Sequence, residues 1–286
     1  MTSGKIAILV DSGTDVPREY LEKYPIYVAP LKIIYQDREY NDRLEITPQE
    51  VYARLEEEVP RTSLPDSGLV NGLFDQIVSD GFEQVLVISI SSRLSGTFNF
   101  LRVLSESYQG LAFHFVDTRN IGIGAGLQVI LAAQLIAAGE PIESVLLKLE
   151  ASIKNSRTYF CLDTLEYLIK GGRIGKVMAV VGQMLSIRPV ISCNEEGVYV
   201  TVAKARGAAQ AVEKAIALAV KQASSQVKFA ISVAHGSAVD RAGAVMRTLK
   251  ERLPNAAMFL MTDISPALSV HTGPGLIGIA VQSLPA

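Results

Sequence analysis

The alternation of short apolar runs with helical patterns in the first half of the chain constrains the fold most. Ile6-Ala7-Ile8-Leu9-Val10 is five apolar residues in succession, ending at Asp11. Such a run reads as a strand buried on both faces, as in parallel sheets. It belongs to a predicted strand Lys5–Val10, with others at Ile26–Tyr35, Gln84–Ser89 and Ala112–Val116. Helical patterns fall among them at Pro17–Lys23, Thr47–Glu58, Gly68–Ser79, Gly96–Tyr108 and Gly124–Ala138. Strands separated by helices predict a parallel sheet with helices on both faces. Thr47-Pro48-Gln49-Glu50 marks one helix start: Thr caps, Pro takes the first helical position, and Glu50 completes the capping-box spacing.

The pattern changes after about Lys154. A short strand at Thr158–Cys161 leads to a helix at Thr164–Lys170, ended by Gly171-Gly172. Ser186–Ser192 and Val198–Lys204 read as a strand pair turning at Asn194–Gly197. Helices at Ala208–Ser224 and Val239–Arg252 and strands at Val227–Val233, Ala257–Met261 and Ile277–Val281 complete the chain. A length of 286 residues favours two domains. The expected division is 1–154 and 155–286. The expected class is α/β, a three-layer α/β/α parallel sheet followed by a two-layer α/β mixed sheet.

The composition excludes several functions. Twenty-seven basic against 29 acidic residues leave no basic footprint for nucleic acid. No His, Cys or carboxylate group has metal-ligand spacing, so no metal is expected. The start, Met1-Thr2-Ser3-Gly4-Lys5, lacks the form of a secretory signal, and the two cysteines, Cys161 and Cys193, make no disulfide framework. A reducing, cytoplasmic setting is the expectation. Ile121–Gly139 is uncharged but glycine-broken and Ala-rich, which suits a buried core helix better than a membrane span.

Small polar clusters follow several strand ends: Asp11–Asp15, Ser89–Thr97 and, in a loop before a helix, Arg61–Gly68. Ligands of open parallel sheets sit beyond such ends, where helix N-termini offer unpaired N–H groups. The same residues are also ordinary helix caps. His271-Thr272-Gly273-Pro274-Gly275-Leu276-Ile277-Gly278 reads as a tight turn, either facing an anion with its N–H groups or simply preceding the last strand. His114 lies within an apolar strand, and His235 precedes a helix start. Gly122–Leu127 misses the third glycine of a dinucleotide fingerprint, and no phosphate-binding loop occurs. A Ser95–His271 pair would need a third, orienting acid that the sequence does not identify. Lys170–Lys176 suits either a cation-capped helix end or an anion contact.

Taken together these segments resemble the DegV family. The resemblance rests on Asp11–Asp15, Arg61–Pro65, Ile90–Thr97, Leu165–Gly175 and His271–Gly275, in order along nearly the whole chain. It implies a cytoplasmic two-domain α/β carrier that encloses one long-chain fatty acid (palmitate, stearate or oleate), with no cofactor and no complete catalytic site. It further implies presentation of the carboxylate to a separate ATP-dependent fatty acid kinase, with transient membrane-surface contact. By resemblance, Thr62, Ser63, Ser95, Gly96 and His271 hold the carboxylate, and Arg173 and Arg206 meet phosphate or the partner. Gly13, Leu64 and Asp66 depart from the family pattern, which has Ser or Thr, Gln and Ser there. The competing reading is a hydrolase or phosphotransferase using Ser95 and His271. At about 0.8 kcal/mol per buried methylene, some fourteen methylenes offer roughly 11 kcal/mol before binding entropy is subtracted. The head group then needs satisfied hydrogen bonds more than it needs a salt bridge.

Overall fold

The computed structural model describes residues 5–178 and 187–285. Met1–Gly4 and Ser186, which entered the readings of the N-terminus and of one strand, lie outside them. All six residues of β1 (Ile6–Asp11) are buried. Ile6, Ile8 and Val10 face one helical layer, and Ala7 and Leu9 face the other. β1 pairs in parallel with β2 (Ile26–Ala29) and β6 (Gln84–Ser89), and β6 pairs in parallel with β7 (Ala112–Asp117). The order is β2-β1-β6-β7. On one face α5 (Ile123–Ala137) and α6 (Ile142–Asn155) contribute Val129, Ala133, Val145 and Leu149. On the other, α3 (Ser67–Ser79) and α4 (Thr97–Glu106) contribute Val70, Phe74, Ile77 and Leu101. This is the predicted three-layer sheet.

The predicted strand Ile26–Tyr35 is two strands. Pro30 cannot donate to a ladder, and the chain turns there into β3 (Lys32–Ile34). β3 is the middle strand of a small antiparallel sheet with β4 (Glu39–Asn41) and β5 (Arg61–Ser63). α1 (Arg18–Lys23) follows Pro17, and α2 (Pro48–Arg54) carries the predicted Thr47/Glu50 capping box.

The second sheet is mixed, in the order β10-β9-β8-β13-β11-β12. Its strands are β8 (Arg157–Cys161), β9 (Ile187–Cys193), β10 (Tyr199–Arg206), β11 (Phe229–His235), β12 (Met258–Asp263) and β13 (Ile277–Ser283). Only β11 and β12 run parallel within it. One face packs against α8 (Ala208–Ser224) and α9 (Val239–Arg252) through Ala211, Ala215, Ala219, Val245 and Leu249. The other face, with Phe160, Ile191, Ala234 and Ala280, meets Ile123, Leu127 and Ile130 of α5. The uncharged segment is therefore a shared wall between the sheets, buried from Ile123 to Ala133. No helix among the described residues is long and apolar enough to cross a membrane. Two further α-helices are short: α7 (Glu166–Lys170) and α10 (Pro266–Thr272).

Replacing a helical glycine by alanine ordinarily gains about 0.5–1 kcal/mol. A Cβ on Gly126 of α5, however, would stand 2.4 Å from the Thr14 carbonyl oxygen, which is backbone and cannot swing aside. Gly126→Ala is expected to destabilise the fold by about 1–3 kcal/mol, read as a lowered midpoint of urea unfolding. A variant as stable as the parent would show that α5 does not press on the loop after β1.

Candidate ligand-binding site

Strand ends, loops and α10 converge on one cavity of about 260 Å3. Its walls are mostly apolar, with Leu94, Ile121, Phe160, Tyr199, Leu268 and Leu276 among them. Thr62, Ser63, Ser95, Gly96, Arg173 and His271 all line it, and Arg173 is the one Asp, Glu, Lys or Arg among the described lining residues. Arg206 is not among them. It ends β10 as an exposed residue, and its backbone N–H donates to Gln210 Oε1 at 2.6 Å.

Each polar group is placed by its element. Thr62 and Ser63 lie on β5, opposite Ile33 and Lys32 of β3. Ser95 and Gly96 open α4. Ser95 Oγ is 2.8 Å from Thr97 Oγ1 and accepts the Thr97 N–H at 3.2 Å. Gly96 stands against Leu64, since a Cβ there would meet Leu64 Cδ2 at 3.4 Å. Asp66 is engaged as the cap of α3, accepting the Leu69 N–H at 3.0 Å.

His271 belongs to α10. The sequence pattern predicts only a turn here, but Ser265 caps a helix that Pro266 begins and Gly273 ends. Gly273, at φ 65° and ψ −177°, adopts a conformation natural to glycine. His271 Nε2 lies 2.8 Å from Thr62 Oγ1. Nδ1 is buried without a partner, against the backbone of Gly171, where a Cβ would fall 2.1 Å from it. The predicted glycine stop of α7 therefore also makes room for the imidazole. Arg173 follows that stop, donating from Nη1 to the Gly171 carbonyl at 2.7 Å.

Burial, helped by the Arg173 cation, pushes the His271 imidazole down to about 4, so it is neutral at physiological pH. Ser95 and His271 share the cavity, but each bonds to a threonine, Thr97 and Thr62 respectively. A nucleophile–base pair needs a hydrogen bond between its members and a group to orient the base. Among the described residues no group of His, Cys, Asp and Glu could hold a metal ion.

Sequence reasoning offered the uncharged Ile121–Gly139 segment as either a pocket wall or ordinary core, and Ile121–Ile123 do line the cavity; it missed Phe160, Tyr199 and Leu268, which look like any core residue. It also missed the polar support of α10. Asp15 Oδ1 accepts the Ser265 N–H at 2.8 Å, and Asp42 Oδ1 accepts the Ala267 N–H at 3.1 Å. Asp15 was visible as part of a polar cluster; Asp42 offered no signal. Burial lifts both carboxyls, Asp15 to about 7 and Asp42 to about 6.

A buried neutral imidazole must take a proton when the chain unfolds in acid. His271 therefore favours folding at neutral pH, and that advantage is lost as the pH falls from about 6.5 towards 4. Asp15 and Asp42 act in the opposite sense, their ionisation weighing against the fold as pH rises from about 4 to 7. Comparison with His271→Gln isolates the imidazole. From pH 7 to pH 5 the stability of the wild type relative to this variant is expected to fall by about 2 kcal/mol. Urea unfolding at both pH values measures it, and parallel profiles would refute a buried neutral imidazole.

Comparison with known proteins places this site in context. The family model described as "Uncharacterised protein, DegV family" matches residues 5–284. A DegV domain-containing protein of Clostridium acetobutylicum is 42% identical over 277 residues, covering 97% of this chain and 98% of that one. A DegV family protein of Thermus thermophilus, whose structure is described in terms of fatty acid binding, superposes with a TM-score of 0.92 at 27% identity, covering 98% of this chain and all of that one (100%). A stearic acid-binding protein of Eubacterium ventriosum does so with a TM-score of 0.87 at 26% identity, covering 97% and 98%. With a family match spanning residues 5–284 and close superposition on these structures over nearly the whole chain, the chain belongs to the DegV family.

Proposed function

We propose that this protein binds one long-chain fatty acid in the cavity and presents its carboxylate to a separate, ATP-dependent fatty acid kinase. The observation that carries this reading is a single cavity with apolar walls and a small polar lip at Thr62, Ser63, Ser95, Gly96 and His271. Relatives described as fatty-acid- and stearic-acid-binding proteins support it. The acyl chain supplies most of the binding free energy, and the lip leaves no buried carboxylate oxygen without a donor.

The neutral imidazole has a specific part in this. We assign the Nε2–H tautomer, which leaves the partnerless Nδ1 as a bare acceptor. Nε2–H then donates to Thr62 Oγ1, and the Thr62 hydroxyl is free to donate its own hydrogen to the carboxylate. Ser95 Oγ–H is the second donor of this kind. A head group held by hydroxyls rather than by a lysine or arginine remains available for phosphorylation. In this reading the protein is a cytoplasmic carrier with no catalytic site of its own, divided into domains near residue 154. Arg173 and the more distant Arg206 meet phosphate or the kinase. The exposed side chains of Leu64, Ile169 and Met178 support a transient contact with a membrane surface.

Native mass spectrometry and lipid extraction of the purified protein are expected to give one fatty acid per chain. A protein that is empty, and stays empty when offered palmitate, stearate or oleate, would sink the proposal. Thr62→Ala combined with Ser95→Ala is expected to speed fatty-acid release at least tenfold, through the loss of two hydrogen bonds to a charged group. Unchanged release would remove these hydroxyls from the site. With ATP and fatty acid alone no acyl phosphate should form, whereas addition of the kinase subunit should produce it. Turnover without the kinase would favour the Ser95–His271 enzyme reading.

A further inference from the structure

α10 is only seven residues long, Pro266–Thr272. A helix of two turns has little stability of its own, so its position comes from its contacts. Every N–H at its start has a partner. Ser265 N–H goes to Asp15, Ala267 N–H to Asp42 and Leu268 N–H to Ser265 Oγ, while Pro266 has none to offer. Two of these acceptors are carboxylates from the opposite half of the chain, 250 and 225 residues away.

Both carboxylates are fixed in turn. Asp15 Oδ1 also accepts from Arg43 Nη2 at 3.0 Å. The same guanidinium nitrogen donates to the Asp263 carbonyl at 3.3 Å, two residues before the cap of α10. Asp42 Oδ2 accepts from Ser12 Oγ, and Ser12 Oγ accepts the Leu31 N–H. Arg43 and Asp15 both hold positive φ, 63° and 51°, a conformation uncommon outside glycine. The first sheet, the small sheet and the second sheet thus meet at three side chains, and one end of α10 is tied to all of them. The other end carries His271, bonded to Thr62 of β5.

We infer that Asp15, Asp42 and Arg43 are positioning residues of the carboxylate site, holding α10 so that His271 meets Thr62 across the junction of the sheets. The ligand rests on the fatty-acid reading above; the placement of the helix does not. None of the three lines the cavity. Their effect passes through the helix, so removing a carboxylate lets α10 shift, admits water to His271 and weakens the Thr62 contact.

The test follows the His271 imidazole by NMR titration in the full-length protein, together with release of carboxyl-13C palmitate to phosphatidylcholine vesicles. In Asp15→Ala and in Asp42→Ala the His271 pKa is expected to rise from about 4 towards its ordinary 6.5. Palmitate release should quicken about tenfold, as the loss of one hydrogen bond to a buried charged group implies. Asp42→Asn keeps an acceptor for the Ala267 N–H and is expected to restore most of both properties. Should the alanine variants not fold, Arg43→Gln gives the same readouts at a side chain that is 31% exposed. A His271 titration identical to the parent's in folded variants, even less stable ones, overturns the inference. A wild type that holds no palmitate, with His271 still shifted in the variants, defeats the fatty-acid reading and leaves the positioning role standing.

Discussion

A carboxylate taken out of water must be met by donors, or it costs several kcal/mol. This protein ends its first strand with that constraint. Asp11, fully buried, accepts from the Gly13 and Ile90 N–H groups and from Ser89 Oγ–H. One side chain therefore ties the end of β1 to the end of β6 and shapes the turn that follows. Asp15 and Asp42 repeat the device further out, where the donors come from α10. The polar lip of the cavity stands on these buried acids, and the hydroxyls that line the cavity lie beside them rather than within them.

The division of labour between walls and lip follows from the same physics. The walls bring side chains from the second sheet, from the loops beyond the first sheet's strand ends and from the start of α5 around one apolar space, and they impose little direction. The lip is small, with one imidazole kept neutral by burial and by Arg173. On the fatty-acid reading proposed above, a permanent cation in direct contact would bind the head group more tightly and also hold it back from transfer. On that reading, hydroxyl donors oriented by a neutral histidine would bind it without that conflict.

Much of this was legible in the sequence, element by element. Gln84–Ser89, Ala208–Ser224 and Val239–Arg252 begin and end where their periodicity and flanking residues place them. α6 went unread, although Ile142, Val145 and Leu149 give it a buried stripe and Pro141 a start. α10 was hidden by the glycines and proline after it, despite the Ser265-Pro266 start signal. In the site, the hydroxyls at strand ends were visible one by one, but each looked like a helix cap. The apolar wall was not separable from core, because a residue facing a cavity and a residue facing a neighbour share one hydropathy. The carboxylates behind α10 were unreadable as such, since their partners lie more than 200 residues away.

The place of β13 in the second sheet has a consequence for biosynthesis. This strand, last in sequence among the described elements, sits between β8 and β11. Until Ile277–Ser283 has left the ribosome, β8–β9–β10 and β11–β12 are two separate ribbons, each with an unpaired inner edge that invites wrong pairing. Phe160 of β8 and Ala234 of β11 line the same cavity from either side of Gly278 on β13. The nascent chain thus has no closed cavity until the last described strand is in place, and on the proposed reading an acyl chain would enter only after that.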